Sequence, residues 1–127
     1  MNKKFCSFFA ALVVVLSLAV TALADDKKPV TLTGNLVDKA CSAGVAKKDD
    51  PQAAAAGHTK GCSLSERCAN SGFGVYADGK YTEFDEKGSA MAKAALEKSA
   101  KDKGAKFKVT GTVQDGKMMV TSISEIE

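Results

Sequence analysis

The chain has 127 residues, 45% of them hydrophobic and 26% charged, with no tryptophan and a formal net charge of +3. Lys3 and Lys4 belong to an N-terminal leader, and without them 16 basic residues face 15 acidic ones. That balance argues against a dedicated nucleic-acid surface, and the remaining length suits one domain with a modest core.

The leader is read over residues 1–24. Lys3 and Lys4 precede an almost wholly apolar run from Phe8 to Val20, and Ala22-Leu23-Ala24 has the small-x-small pattern of a signal-peptidase site. At about 13 residues the run is shorter than the roughly 20 that a spanning helix needs. Cleavage before Asp25 is therefore expected, with export to the periplasm or beyond and no stable membrane anchor left behind. Cys6 leaves with the leader. Residues 25–127 then form a single domain.

VTLTGNLVD over residues 30–38 alternates Val30, Leu32, Gly34 and Leu36 with Thr31, Thr33 and Asn35, the period of a half-buried strand. GFGVYADGKYTEFD, from Gly72 to Asp85, reads as two strands joined at Asp78-Gly79, a dipeptide that tolerates the positive φ angles of a tight hairpin. Ser89 is placed to cap a helix over 89–103 rich in Ala, Leu, Met, Glu and Lys, with Gly104 as its stop. Phe107, Val109, Gly111 and Val113 alternate with polar residues, Asp115-Gly116 turns, and Met118 to Ile126 returns as the last strand.

The resulting fold class is all-β with one helix: a five-stranded OB-type β-barrel, its helix between strands three and four and a Cys-rich insertion between strands one and two. Strand one is expected to pair with strand four, and the helix to plug one end. Val30, Leu32, Leu36, Val75, Leu96, Phe107, Val109 and Val113 are the expected core. Gly34, Gly74 and Gly111 suit the bulges and bends of a small barrel.

VTLTGNLVD near the start and FKVTGTVQDGKMMVTSI near the end resemble small exported bacterial OB-fold proteins. The chain is also similar to an uncharacterised periplasmic group with Asp-x-x-Cys after strand one and Gly-His followed by two cysteines, here Asp38 to Cys41, Gly57-His58, Cys62 and Cys68. The resemblance implies a fold and no mechanism.

The insertion, residues 39–72, is too long for a structureless loop in a compact domain. Asp50-Pro51 reads as the start of a short helix ended by Gly57, and Ser63-Leu64-Ser65-Glu66 as the capping box of a second. It holds Cys41, Cys62 and Cys68 and the chain's one histidine, His58. Three thiolates and an imidazole are the donors of a tetrahedral zinc site, and soft thiolates also suit Cu(I). The gaps of sixteen, three and five residues lack the Cys-x-x-Cys knuckle of zinc ribbons. One disulfide with a spare thiol, or thiol redox chemistry, uses the same sulfurs in an oxidising compartment.

His-Glu-x-x-His, Gly-x-Ser-x-Gly, Cys-x-x-Cys-His and phosphate-binding glycine loops are all absent, and a Cys62–His58 nucleophilic pair has no evident third member. Glu66 and Asp38 are candidates to orient an imidazole or join a metal's surroundings. Phe73, Tyr76, Tyr81 and Phe84 lie on strands two and three, where barrels of this type bind extended ligands, although strand parity sends part of the set inward. The expected function is an exported, non-enzymatic binding module that captures or senses zinc or copper through Cys41, His58, Cys62 and Cys68. The alternative is a disulfide-stabilised adapter for a protein, peptide or glycan, with no nucleic-acid partner.

Overall fold

The computed structural model describes residues 28–126, so the leader expected over residues 1–24 lies outside them. Five strands, β1 (Val30–Asp38), β2 (Phe73–Ala77), β3 (Lys80–Phe84), β4 (Phe107–Gln114) and β5 (Lys117–Glu125), close in a ring of order β1-β2-β3-β5-β4. The closure expected between strands one and four is present: β1 pairs with β4 from Val30 to Gly34, then with β2 from Asn35 to Asp38. All pairings are antiparallel except β3 with β5, a parallel contact of Glu83 with Lys117 and Phe84 with Met118. The result is a small β-barrel-like fold.

Both Asp-Gly dipeptides turn as their chemistry demands. Asp78 and Gly79 adopt φ of 51° and 74°, Asp115 and Gly116 of 51° and 77°, the doubly left-handed turn whose twist matches the strands it joins. Gly34 sits where β1 changes partner, and a Cβ there would collide with the Tyr76 backbone. Gly111 occupies the register shift of the β4–β5 pair, where the strand bends.

The fold class expected one helix, with two short ones read in the insertion, and this needs correction: the described residues hold five helices. Four short ones fill the connection between β1 and β2: α1 (Lys39–Ala46), α2 (Pro51–Gly57), α3 (Lys60–Ser63) and α4 (Glu66–Asn70). The fifth, α5 (Glu86–Lys98), stands between β3 and β4 but starts earlier than Ser89 and stops before Gly104. Its N-cap is Asp85, whose Oδ1 accepts the Gly88 amide at 2.9 Å and the Val120 amide at 3.2 Å. Ser89 is engaged elsewhere: its Oγ accepts the Phe73 amide at 3.0 Å.

Strand parity separates two apolar clusters. Leu36, Phe73, Val75, Phe84, Phe107 and Val109 fill the ring together with Ala92 and Leu96 of α5. On the outer side of β1 and β2, Val37 and Tyr76 pack with Val45 of α1 and Ala55 of α2. Five of the expected core residues are buried and Leu32 packs partly, but Val30 is 38% exposed and Val113 42%. Both lie toward strand ends. Met118 and Met119 divide as neighbours on a strand must, at 0% and 40% exposure.

Gln52 of α2 fastens the insertion to the ring. Its amide nitrogen donates to Asn35 Oδ1 at 3.1 Å and to the Tyr76 carbonyl at 3.2 Å, while its Oε1 accepts the Gly79 amide at 3.0 Å. Lys60 ties the insertion to the segment after α5, its amide donating to the Asp102 carbonyl and its ammonium to the Ser99 carbonyl. Among the described residues no helix is long and apolar enough to cross a membrane.

Gly34→Ala should lower stability by about 3 kcal/mol in urea unfolding, because the added methyl meets backbone that cannot rotate away. Gly44→Ala, in α1 with open space around its Cα, should instead gain about 0.5–1 kcal/mol. Equal effects at the two positions would contradict the close β1–β2 approach.

Candidate metal centre

Asp38 is both the last residue of β1 and the N-cap of α1. With φ −67° and ψ 149° it remains extended, and its Oδ2 accepts the Cys41 amide at 3.0 Å. This places Cys41 in the first turn of α1. The Asp38 side chain has 0% exposure, and its Oδ1 accepts two further bonds, from His58 Nε2 at 2.8 Å and Ser63 Oγ at 3.2 Å.

Each partner is delivered by its own helix end. Asp50 caps α2 by accepting the Ala53 amide at 2.9 Å, and Pro51 occupies the first turn, where a missing N–H costs nothing. The helix ends at Gly57, and His58, as C-cap, leaves in an extended conformation that returns its ring to Asp38. Thr59 caps α3 by accepting the Cys62 amide at 3.2 Å. Ser63 closes that short helix and points its hydroxyl inward. The capping box expected between Ser63 and Glu66 is not formed: Ser65 is the N-cap of α4, its own Oγ donating to the Cys62 carbonyl at 2.8 Å.

Helix α4 then presents Cys68 toward α1, with Cys41 Sγ and Cys68 Sγ 3.9 Å apart. Ser71 locks the two helices together, donating to the Cys68 carbonyl at 2.6 Å and accepting the Ala40 amide at 3.0 Å. Cys68 is buried, Cys41 partly buried and Cys62 exposed. All three are free thiols, so the expected disulfide is not present among the described residues.

The four cysteine and histidine side chains singled out by spacing fall into two overlapping groups. The sulfurs of Cys41, Cys62 and Cys68 lie within 4.8 Å of one another. Donor atoms of Asp38, Cys41 and His58 form a second group within the same limit, sharing Cys41 with the first. Neither Asp38 nor His58 joins the three-sulfur set. It is Cys41, not Cys62, that neighbours the imidazole. Glu66 is exposed and outside both groups.

The electrostatics centre on Asp38. Burial pushes its carboxyl toward the protonated form. The bonds from His58, the Cys41 amide and the thiols of Cys41 and Cys68 outweigh burial and hold it below its ordinary value of 3.8. An ionised carboxylate only accepts, so His58 Nε2 must carry the proton that faces it. The same surroundings act oppositely on Cys41. Burial first, then Asp38, raise its thiol to about 12, so that sulfur stays protonated at neutral pH. Metal binding there must displace a proton.

One contribution, that of Ser63, was not evident from spacing. Ser63 was assigned to a helix cap, and only its burial beside Asp38 reveals its actual bond. Asp38 itself carried a signal, as a polar residue ending an apolar strand three positions before a cysteine.

Asp38→Asn should destabilise the protein by about 3 kcal/mol, since it removes a buried charge while its donors remain, whereas Ser63→Ala should cost about 1 kcal/mol. A depressed carboxyl contributes stability above its unfolded-state pKa and loses it as pH falls through the folded value. The ion-free wild type should therefore lose unfolding free energy below about pH 4, and Asp38→Asn should flatten that part of the profile. Denaturant midpoints measured between acid and neutral pH check both outcomes.

No protein-family model, curated protein or solved structure matches the chain.

Proposed function

We propose that the protein is an exported binding module, acting in the periplasm or outside the cell, that captures or senses a transition metal ion through its insertion. The ring order β1-β2-β3-β5-β4, with α5 between β3 and β4, supports an OB-type barrel as the scaffold. It also accords with the resemblance to small exported bacterial OB-fold proteins. The barrel holds the insertion, and the insertion carries the chemistry.

The observation that carries this reading is the convergence of three free thiols from three separate helices. Two sulfurs held about 2.3 Å from one ion at the tetrahedral angle are about 3.8 Å apart. Cys41 and Cys68 already stand at 3.9 Å. Packing does not account for all three thiols, because Cys62 is exposed. Zinc and Cu(I) both suit such donors, and His58, with Asp38 as its orienting carboxylate, stands next to the set through Cys41.

The adapter reading has less support. Phe73 and Phe84 belong to the interior of the ring, and Tyr76 lies beneath the insertion with Tyr81 packed against it, ring centroids 5.5 Å apart. Those aromatics are committed to the fold rather than to a partner.

Titration of the reduced full chain with zinc or Cu(I) should load one ion per chain and protect Cys41, Cys62 and Cys68 from alkylation, as read by elemental analysis and peptide mapping. Serine at any of the three should abolish stoichiometric loading. A chain that takes up no ion, and whose native sample lacks two hydrogens of mass with one of the three thiols reactive, would sink the metal reading in favour of a structural disulfide.

A further inference from the structure

We infer that Cys41, Cys62 and Cys68 also form a site for a trivalent thiophilic oxyacid, arsenous or antimonous acid, taken up as a neutral tris-thiolate. This ligand class goes beyond the transition ions proposed above and does not depend on their binding.

The donor count is the first argument. The three sulfurs gather within 4.8 Å, and among the described residues no carboxylate or imidazole joins all three. Zinc in structural sites takes four ligands, so it must find a fourth elsewhere. Trivalent arsenic and antimony take three sulfurs in a pyramid, with a lone pair at the fourth position. The set is complete for them as it stands.

Charge is the second argument. Asp38 is fully buried beside Cys41 and receives three hydrogen bonds, from an imidazole, a hydroxyl and an amide, an arrangement that suits a carboxylate anion. Lys39, the basic residue next in sequence, is not free to offset it, because its ammonium lies 2.9 Å from Glu83 Oε1. Three thiolates around Cu(I) leave a net charge of −2, and around zinc −1, next to that carboxylate. Around a trivalent centre they leave none. Asp38 is already a buried carboxylate beside Cys41, so each further negative charge there is costly, and the trivalent complex, which adds none, meets the least resistance.

Uptake balances without any redox partner. Arsenous acid, uncharged at neutral pH, exchanges its three hydroxyls for three sulfurs: three As–O bonds break, three As–S bonds form, and the thiol protons leave in three waters. Arsenic stays trivalent. Cys62, exposed to solvent, is the sulfur positioned for first contact, with partly buried Cys41 and buried Cys68 completing the complex.

The test uses the reduced full chain incubated with arsenite, read by intact mass and by peptide mapping of alkylated thiols, which separates the three cysteines from Cys6. The expected product gains one arsenic, loses three hydrogens and protects Cys41, Cys62 and Cys68 together. Cys41→Ser, Cys62→Ser and Cys68→Ser should each lose this product, whereas His58→Gln, which keeps an N–H for Asp38, should retain it. An adduct that keeps a hydroxyl on arsenic, survival of full protection in any serine variant, or no adduct on the wild type would overturn the inference. Parallel zinc and Cu(I) titrations keep the two ideas apart. Loading with either ion but not arsenite leaves only the transition-metal reading standing, and the reverse leaves only this one.

Discussion

A single buried carboxylate organises the specialised part of this molecule. Asp38 ends β1, caps α1, and accepts bonds from His58 at the end of α2 and Ser63 at the end of α3. A fully buried charge is tolerable only when its acceptor positions are met, and here three donors from three helices meet them. That requirement is reciprocal. The carboxylate needs the helices to be stable in its place, and the short helices, too brief to hold their shape alone, need the carboxylate to fix where they end.

The barrel contributes by giving β1 and β2 two useful faces. Leu36 and Val75 point into the ring while their neighbours Val37 and Tyr76 point out, and the insertion covers the latter with Val45 and Ala55. Burying large side chains is worth roughly 1.5–3 kcal/mol each, so this outer cluster supplies a substantial share of the insertion's docking energy. Gln52 adds direction to that attraction by satisfying Asn35 and two backbone groups at once. The sulfurs therefore stand on a platform held from below, and their spacing follows from packing elsewhere. The two aspartates at strand ends work alike, since Asp85 caps α5 and reaches the Val120 amide just as Asp38 caps α1 and reaches across the insertion.

Much of the local structure was legible in the chain: the strand limits of β1, both Asp-Gly turns, the helix opened by Asp50-Pro51, and the division of Met118 from Met119. These depend on neighbours a few residues apart, through side-chain alternation, left-handed turn residues and capping geometry. The sequence clustering of three cysteines and one histidine likewise pointed to the insertion, where the three sulfurs lie within 4.8 Å of one another. Strand order with one helix before the last two strands, and glycines placed for bends, matched a barrel. The same strands could also have formed an open sheet, and the β1–β4 pairing closes the ring.

What the tertiary structure decided was the use of residues with more than one local option. Ser89 and Asp85 are both competent caps, and the helix begins at Asp85 because the Ser89 hydroxyl is taken by the Phe73 amide from another strand. Ser63 has capping spacing to Glu66 yet turns to Asp38. His58 is close in sequence to Cys62, but its ring joins Asp38 and Cys41. Each choice turns on a partner 16 to 25 residues away, as the separations of 16, 20 and 25 for Ser89, His58 and Ser63 show. Local sequence fixes what a side chain is able to bond, and only the packed fold fixes which of its suitors is buried with it, where leaving the bond unmade costs most.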